Sequence, residues 1–307
     1  MKEPSLAKLR CRYPVAMESP SRTALVFGGS GQIGIPLLAR LHAAGWQVQA
    51  VSRQSQAAAP GLTWRRGDFA QPPALPAQVD VIVSCGPLDL FADWFAHSTL
   101  HCVRVVAIGS TSVHVKQTSA DAAERDVARR LRDAEALLFA SGNARDVSVT
   151  ILRPTLVYGS GRDANLSKLA QLALRHGRLL LPRTACGLRQ PVHVDDVALA
   201  AMAAASATAT GSAAYDVPGG ETLPYRDMVQ RVLACLSPSP RLHLLPAPLF
   251  GMILTIAHWR GIARELTPAV LQRMQNDLVF DAQPARRDLN YAPRLFLPAA
   301  DMFVVCD

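Results

Sequence analysis

The sequence predicts an α/β protein built on a doubly wound parallel sheet, followed by a smaller C-terminal subdomain. Three observations predict it. Short runs of strand length alternate with segments of helical period from residue 23 to about residue 154. Most of these runs are apolar throughout, as strands covered on both faces are. The first run is followed by a glycine-rich turn and then by an amphipathic helix. Alternation of this kind places helices on both faces of a parallel sheet.

The first unit is Thr23 to Gly45, TALVFGGSGQIGIPLLARLHAAG. Ala24-Leu25-Val26-Phe27 suits a buried strand, and Gly28, Gly29, Ser30 and Gly31 break it. Ile33, Leu37, Leu38 and Leu41 then recur at helical spacing, and Gly45 ends the helix. The spacing Gly28-x-x-Gly31-x-x-Gly34 in this strand–turn–helix context is a dinucleotide fingerprint. Gly28 permits the tight turn, Gly31 the approach of a pyrophosphate, and Gly34 close packing of helix on strand. The helix N-terminus offers N–H groups and partial positive charge to phosphates. Gly28, Ser30, Gly31, Gln32, Ile33 and Gly34 are therefore expected to hold the cofactor in a Rossmann domain. The competing reading is a glycine-rich turn with an empty site.

A second strand, Gln47 to Val51, ends in Ser52-Arg53. An acidic residue at this position binds the 2′-hydroxyl of NAD, whereas an arginine suits a 2′-phosphate. No Asp or Glu occurs between Gln47 and Gly67, so Arg53 favours NADP, with NAD the alternative. Leu62-Thr63-Trp64 is a third strand. Asp68 is placed to face the adenine, with Phe69 beside it. Val79 to Ser84 is a fourth strand, broken by Cys85-Gly86-Pro87 where the chain passes under the cofactor. A helix over Phe91 to Leu100 precedes the fifth strand, Val103 to Ile108, which runs into Gly109-Ser110-Thr111-Ser112. Asp121 to Phe139 is a long amphipathic helix with Val127, Leu131, Ala134, Leu137 and Leu138 on one face. The sixth strand, Val147 to Leu152, ends in Arg153-Pro154. Ligands bind beyond the carboxyl ends of such strands, the edge that holds Ser110, Arg153 and Pro154.

After Pro154 the pattern is interrupted. Residues 21–160 form the dinucleotide-binding core, and residues 161–307 mostly a substrate-binding subdomain with segments returning to the core. Helices are expected from Asn165 to His176, from Asp195 or Asp196 as N-cap through Ala205, and from Tyr225 to Leu236. Ala214 to Val217 is a short strand. Leu244 to Trp259 is the most apolar stretch. Its helical part is too short to span a bilayer, which needs about 20 apolar residues. It reads as a buried lid helix, the alternative being contact with a membrane surface through 249–259.

The chain has 307 residues, half of them apolar, and a formal net charge of +8. Its only lysines are Lys2, Lys8, Lys116 and Lys168; the remaining basic residues are scattered arginines without interleaved aromatics. This argues against nucleic acid and for small anionic ligands. The six cysteines form no C-x-x-C pair and no metal-like spacing with His, so no metal is expected and the thiols read as reduced and cytoplasmic. Residues 1–20 lack an apolar signal segment and are expected to form a disordered tail.

GGSGQIG, Gly67-Asp68, STSVH from Ser110, RPTLVYGSGRD from Arg153 and LRQPVHVDDVA from Leu188 together resemble the extended short-chain dehydrogenase/reductases, the NAD-dependent epimerase/dehydratase family. The resemblance covers Thr23 to Asp288. It implies NAD(P) chemistry on a nucleotide-linked or other small carbonyl or hydroxyl substrate. Ser110 matches a serine that hydrogen-bonds the reacting oxygen. The family's Tyr-x-x-x-Lys dyad is absent, because no tyrosine has Lys at +4. Counting back from Glu135, Val127 and Leu131 stand in its place, as apolar core positions. Thr111 and Ser112 replace the Asp and Glu of sugar dehydratases, which argues against that elimination. His114 stands where relatives carry a tyrosine; with an ordinary pKa of about 6.5 it could serve as acid/base, or pack in the substrate loop. Tyr158-x-x-x-Arg162 imitates the dyad on another element. Thr111, Tyr158, Arg162, Asn165 and Arg189 are expected at the substrate. Arg189 matches an arginine that grips a diphosphate, or ties the subdomain together. The resemblance further implies a homodimer. The alternative function, favoured by the missing dyad, is a catalytically silent NAD(P)-binding sensor or assembly subunit.

Overall fold

The computed structural model describes residues 22–57, 59–207, 211–259 and 267–303; the expected tail over 1–20 lies outside them. The chain begins with β1 (Thr23–Phe27), α1 (Gly34–Ala43), β2 (Gln47–Ser52) and β3 (Leu62–Arg66). β4 (Val81–Ser84), α2 (Leu88–His97), β5 (Arg104–Ile108), α3 (Ser112–Val115), α4 (Ala122–Ala144) and β6 (Ser148–Pro154) follow. Next come β7 (Val157–Tyr158), α5 (Leu166–His176), β8 (Arg178–Pro182), β9 (Leu188–Arg189), β10 (Val192–His193) and α6 (Val194–Ser206). Then come β11 (Ala213–Val217), β12 (Leu223–Pro224), α7 (Tyr225–Cys235), β13 (Arg241–Leu245), α8 (Ala247–Trp259), α9 (Pro268–Gln275) and α10 (Gln283–Leu289).

Seven strands form one parallel sheet in the order β11-β6-β5-β4-β1-β2-β3. This is the expected doubly wound sheet. The strand order reverses between β1 and β4, and a crevice opens there at the carboxyl ends. β4 and β5 are buried along their whole length, which explains the apolar runs Val81–Val83 and Val105–Ile108 within them. One face is covered by α1 and α6, which bury Leu37 and Leu41 against Val26 and Val83. The other is covered by α2 and α4, with Phe91, Phe95 and Leu138 inside. Each such fully buried side chain contributes about 2 kcal/mol. A third core joins α5, β8 and α7 through Leu166, Ala170, Leu179, Val229 and Val232.

Several elements differ from expectation. The helix expected over Asp121–Phe139 runs on to Ala144, and Leu137 lies on its exposed side. Ala128 takes the inward position, while Val127 and Leu131 are only half-buried. β8 pairs in parallel with β13 to form a separate two-stranded sheet. The N-cap of α6 is His193, whose Nδ1 accepts the Asp195 N–H at 3.1 Å; the two aspartates fall in the first turn. α8 is not a buried lid. It packs on β8 and buries Phe250, leaving Leu249, Met252, Ile256 and Trp259 exposed. No helix among the described residues is long and apolar enough to cross a membrane.

Candidate functional site

The glycine turn lies at the carboxyl end of β1. Gly28 has φ +70°, and a Cβ there would lie 2.9 Å from the Cys85 carbonyl carbon. A Cβ at Gly34 would lie 2.2 Å from the Gly28 oxygen and 2.6 Å from Gly29 Cα. Both positions are therefore closed to any side chain, as a turn folded against its own helix requires. Gly31 is looser: its Cβ would meet only the Gly28 oxygen, at 3.1 Å. α1 starts at Gly34, after Gln32 and Ile33, with no side-chain cap and no acidic residue in its first turn. Such an uncapped helix end next to a cradle without side chains fits a pyrophosphate.

The neighbouring strand ends complete this half of the edge. Ser30 Oγ lies 3.4 Å from Ser52 Oγ, which also accepts the Gln54 N–H. Arg53 is exposed just beyond β2. Asp68 folds onto its own loop, accepting the N–H groups of Ala70 and Gln71 at 3.0 and 2.8 Å. The Phe69 ring turns inward and stacks on Phe27 with centroids 4.9 Å apart. It also presses on Gly86, where a Cβ would meet it at 3.0 Å. Burial pushes the Cys85 thiol up to about 12, which makes it a neutral packing group. Among the described residues the buried Ser84 Oγ, at the end of β4, has no hydrogen-bond partner.

The other half of the edge carries a charge cluster. Arg153, near the end of β6, donates from Nε to Glu135 Oε1 at 2.8 Å and from Nη2 to Glu135 Oε2. Glu135 comes from α4 and lies under the β5 turn; a Cβ at Gly109 would be 3.6 Å from its Oε1. This bonding holds the Arg153 guanidinium above its ordinary pKa. Arg153 is paired in register with Asp216 of β11. His114 Nε2, from α3, lies 3.3 Å from Asp216 Oδ1 and 3.4 Å from Arg153 Nη1. Ser110 lies two residues before α3, its Oγ accepting the Ser112 N–H at 3.1 Å. Thr111 turns inward. It is buried, and both its N–H and its hydroxyl donate to the Pro154 carbonyl, at 3.2 Å each. Thr111 and Pro154 thus bind the β5 and β6 loops together.

Neither Glu135 nor Asp216 was expected here from sequence. A lone aspartate inside the strand pattern of Ala213–Val217 is the signal that could have found the second. At Val127 and Leu131, where the resemblance puts a phenol and an ammonium, the chain presents half-buried aliphatic groups.

The other four expected substrate residues lie apart from this cluster. Tyr158 is 1% exposed and packs edge-on against His193 and Phe296, and burial pushes its phenol up to about 12. Arg189 is buried over the Tyr225 ring and donates to the carbonyls of Leu188, Asn276 and Arg273. It ties β9 to α9 and is 5% exposed. Arg162 reaches the glycine turn instead, donating to the Ser30 carbonyl at 3.5 Å, while Ser160 Oγ donates to Gln32 Oε1 at 3.3 Å. Arg162 also lines a cavity of about 530 Å³ with Ser30, Leu38, His42, Gln54 and Trp64. Asn165 is exposed at the start of α5, where the buried Asp163, not Asn165, caps the helix through the Ser167 N–H and hydroxyl.

No protein-family model matches the chain. It is 27% identical over 318 aligned residues to the 2-alkyl-3-oxoalkanoate reductase of Stenotrophomonas maltophilia (strain K279a), covering 88% of this chain and 94% of that one. Among solved structures it resembles MoeE5 in complex with UDP-glucuronic acid and NAD, with a TM-score of 0.66 and 20% identity over 90% of this chain and 95% of the other. It also resembles UDP-glucuronic acid 4-epimerase from Bacillus cereus in complex with NAD, with a TM-score of 0.65 and 15% identity over 90% and 94%. The fold is therefore the one that these NAD-bound proteins share.

Proposed function

We propose that the chain is an NAD(P)-dependent oxidoreductase that interconverts a carbonyl and a hydroxyl on a small substrate. The observation that carries this reading is the cluster of His114, Asp216, Arg153 and Glu135 beside Ser110, on the same sheet edge as the glycine turn. A bound nicotinamide supplies or takes the hydride. Ser110 Oγ already accepts the Ser112 N–H, so its own proton is the one to give to a substrate oxygen. Asp216 orients His114 through Nε2, and Nδ1 then exchanges the proton with the substrate. These groups take over the work of the absent phenol and ammonium.

NADP is the preferred cofactor in this reading. Arg53 follows Ser52 in the chain and Arg162 donates to the Ser30 carbonyl, so two arginines adjoin the Ser30–Ser52 pair, which suits a 2′-phosphate. The engaged Arg189 favours a substrate without a diphosphate, such as the 3-oxo acid in the name of the Stenotrophomonas relative. A nucleotide-linked substrate is the second reading, supported by the UDP-sugars bound in the structural neighbours. A cytoplasmic enzyme fits this reading, since nicotinamide chemistry is at home there, and the exposed Leu90 on α2 and Leu137 on α4 offer the faces for a homodimer.

The test is titration with NADPH and NADH, followed by nicotinamide fluorescence. Turnover is then screened on 3-oxo acids and UDP-sugars with Ser110→Ala, His114→Ala and Asp216→Asn. The expected result is tighter NADPH binding, and a fall in kcat of about 10²–10⁴ for His114→Ala. Binding without turnover of either substrate class would favour the silent cofactor sensor. Binding of neither dinucleotide, or turnover that survives loss of both Ser110 and His114, refutes the assignment.

A further inference from the structure

The lobe built from β8, β13 and α8 has an unusual surface. Residues 164–194 and 228–264 contain no aspartate or glutamate. Parallel pairing of β8 with β13 brings these two acid-free segments together and sets Arg241 opposite Arg178, both exposed. Like charges directly opposite each other destabilise a strand pair, and neither strand carries a carboxylate to offset them. Exposed Arg183 and His243 add to the same ribbon. On it sits α8, whose Leu249, Met252, Ile256 and Trp259 follow one another at spacings of three, four and three residues. These side chains are 40%, 58%, 47% and 93% exposed. They form one apolar stripe along the helix, held to the lobe on the other side by the buried Phe250.

An apolar stripe needs an occupant, and the charge beside it selects among candidates. A second copy of the chain would bring the same basic ribbon against this one across a two-fold interface. A nucleic acid would leave the aliphatic stripe without a partner. An anionic bilayer satisfies both features: headgroups meet the arginines, and the acyl boundary takes the stripe. A 13-residue helix is too short to cross the membrane, and its exposed apolar stripe, with the charge supplied by the ribbon beside it, suits the interface plane. Trp259 is the residue type that sits at the headgroup level. We infer that this lobe docks on an anionic lipid surface, with α8 lying in the interface plane. The inference does not depend on the nicotinamide reading.

The test uses the full chain and two kinds of vesicle, phosphatidylcholine alone and phosphatidylcholine mixed with phosphatidylglycerol. Cosedimentation measures binding, and tryptophan fluorescence reports insertion of Trp259. The expected result is binding to the mixed vesicles with a blue shift that is lost in Trp259→Phe. Arg178→Gln with Arg241→Gln should weaken binding about 25-fold, taking about fivefold for each basic group at an anionic surface. Met252→Asp with Ile256→Asp should abolish it, with unchanged circular dichroism because both positions are exposed. Failure to bind mixed vesicles, or binding that ignores the aspartate substitutions, overturns the proposal. So does self-association in the absence of lipid that the same aspartates dissolve, since a second copy would then be the occupant.

Discussion

Replacing Glu135 by leucine should strand Arg153 in the middle of the site. The two side chains are 8% and 18% exposed and share two hydrogen bonds. Removing one partner of a buried ion pair costs about 3–5 kcal/mol, most of it the cost of the charge left behind. After Glu135→Leu, Asp216 still lies 3.9 Å from Arg153 Nη1 and takes part of the load, which puts the cost near the lower end, about 3 kcal/mol. At about 2–4 °C per kcal/mol for a chain of this size, Tm should fall about 6–12 °C. Arg153→Leu leaves Glu135 beneath Gly109 without a counter-ion and should cost more. The double variant removes both charges, so it should cost less than the sum, with a coupling of about 2–3 kcal/mol. Urea and thermal melts of the four proteins close the cycle. Single variants that each cost under about 1 kcal/mol, or additive losses in the double, would refute the claim that this bridge is a desolvated pair.

Gly34→Ala puts a methyl group where only 2.2 Å is free to the Gly28 oxygen. It should cost about 1–3 kcal/mol by overpacking and weaken dinucleotide binding at least tenfold, as read by calorimetry, while Gly31→Ala should leave the melt nearly unchanged. His193 has a lowered pKa, first through burial and then through Arg294. The unfolded chain thus binds a proton that the fold rejects, and stability should fall as pH drops below the ordinary value of 6.5. His193→Asn keeps a capping acceptor without the titration, so its unfolding free energy should vary less between about pH 7 and pH 5. An unchanged slope would exclude His193 as its source. At mildly alkaline pH, maleimide should label the exposed Cys186 and spare Cys85, whose thiol is pushed up to about 12. Peptide mapping that finds both labelled alike would contradict the buried placement.

The first six sheet strands were legible because each carries its own signal. A strand covered on both faces must be apolar throughout, and the turn at Gly28 announces both the strand before it and the helix after it. β8 and β13 carried no such signal. Arg178–Pro182 and Arg241–Leu245 are stabilised by each other and by α5 and α7, and pairing over some sixty residues leaves no local mark. Tyr158 and Arg189 illustrate a different limit. A tyrosine beside a glycine reads equally well as a ligand-facing or a packed residue. What decides is Gly159 at φ +109°, where a Cβ would strike the His193 ring at 2.5 Å, so that strand β10 closes over the phenol. α8 was legible as an apolar helix, yet periodicity shows which face is apolar and not what covers it.

The charge cluster shows the deepest of these limits. In the resembled family one helix supplies both the proton donor and the cation that tunes it, at a spacing visible in any sequence. Here α4 supplies only Glu135, while β6 gives Arg153, β11 gives Asp216 and α3 gives His114. Four elements must dock before the cluster is complete, and the separation of 102 residues between His114 and Asp216 carries no periodic trace. Such a site depends on loop docking more than a single-helix dyad does. The two bonds from Thr111 to the Pro154 carbonyl hold the β5 loop, and with it α3, against the end of β6. Thr111→Val keeps the shape and the N–H bond but removes the hydroxyl, and should cost about 1 kcal/mol of stability. If His114 acts from this platform, the same change should lower kcat while leaving dinucleotide affinity untouched, since the glycine turn lies on the far side of the switch point. Equal losses in both would mean that the two halves of the edge are not separable, and that the cluster is part of the scaffold and not a proton-transfer device.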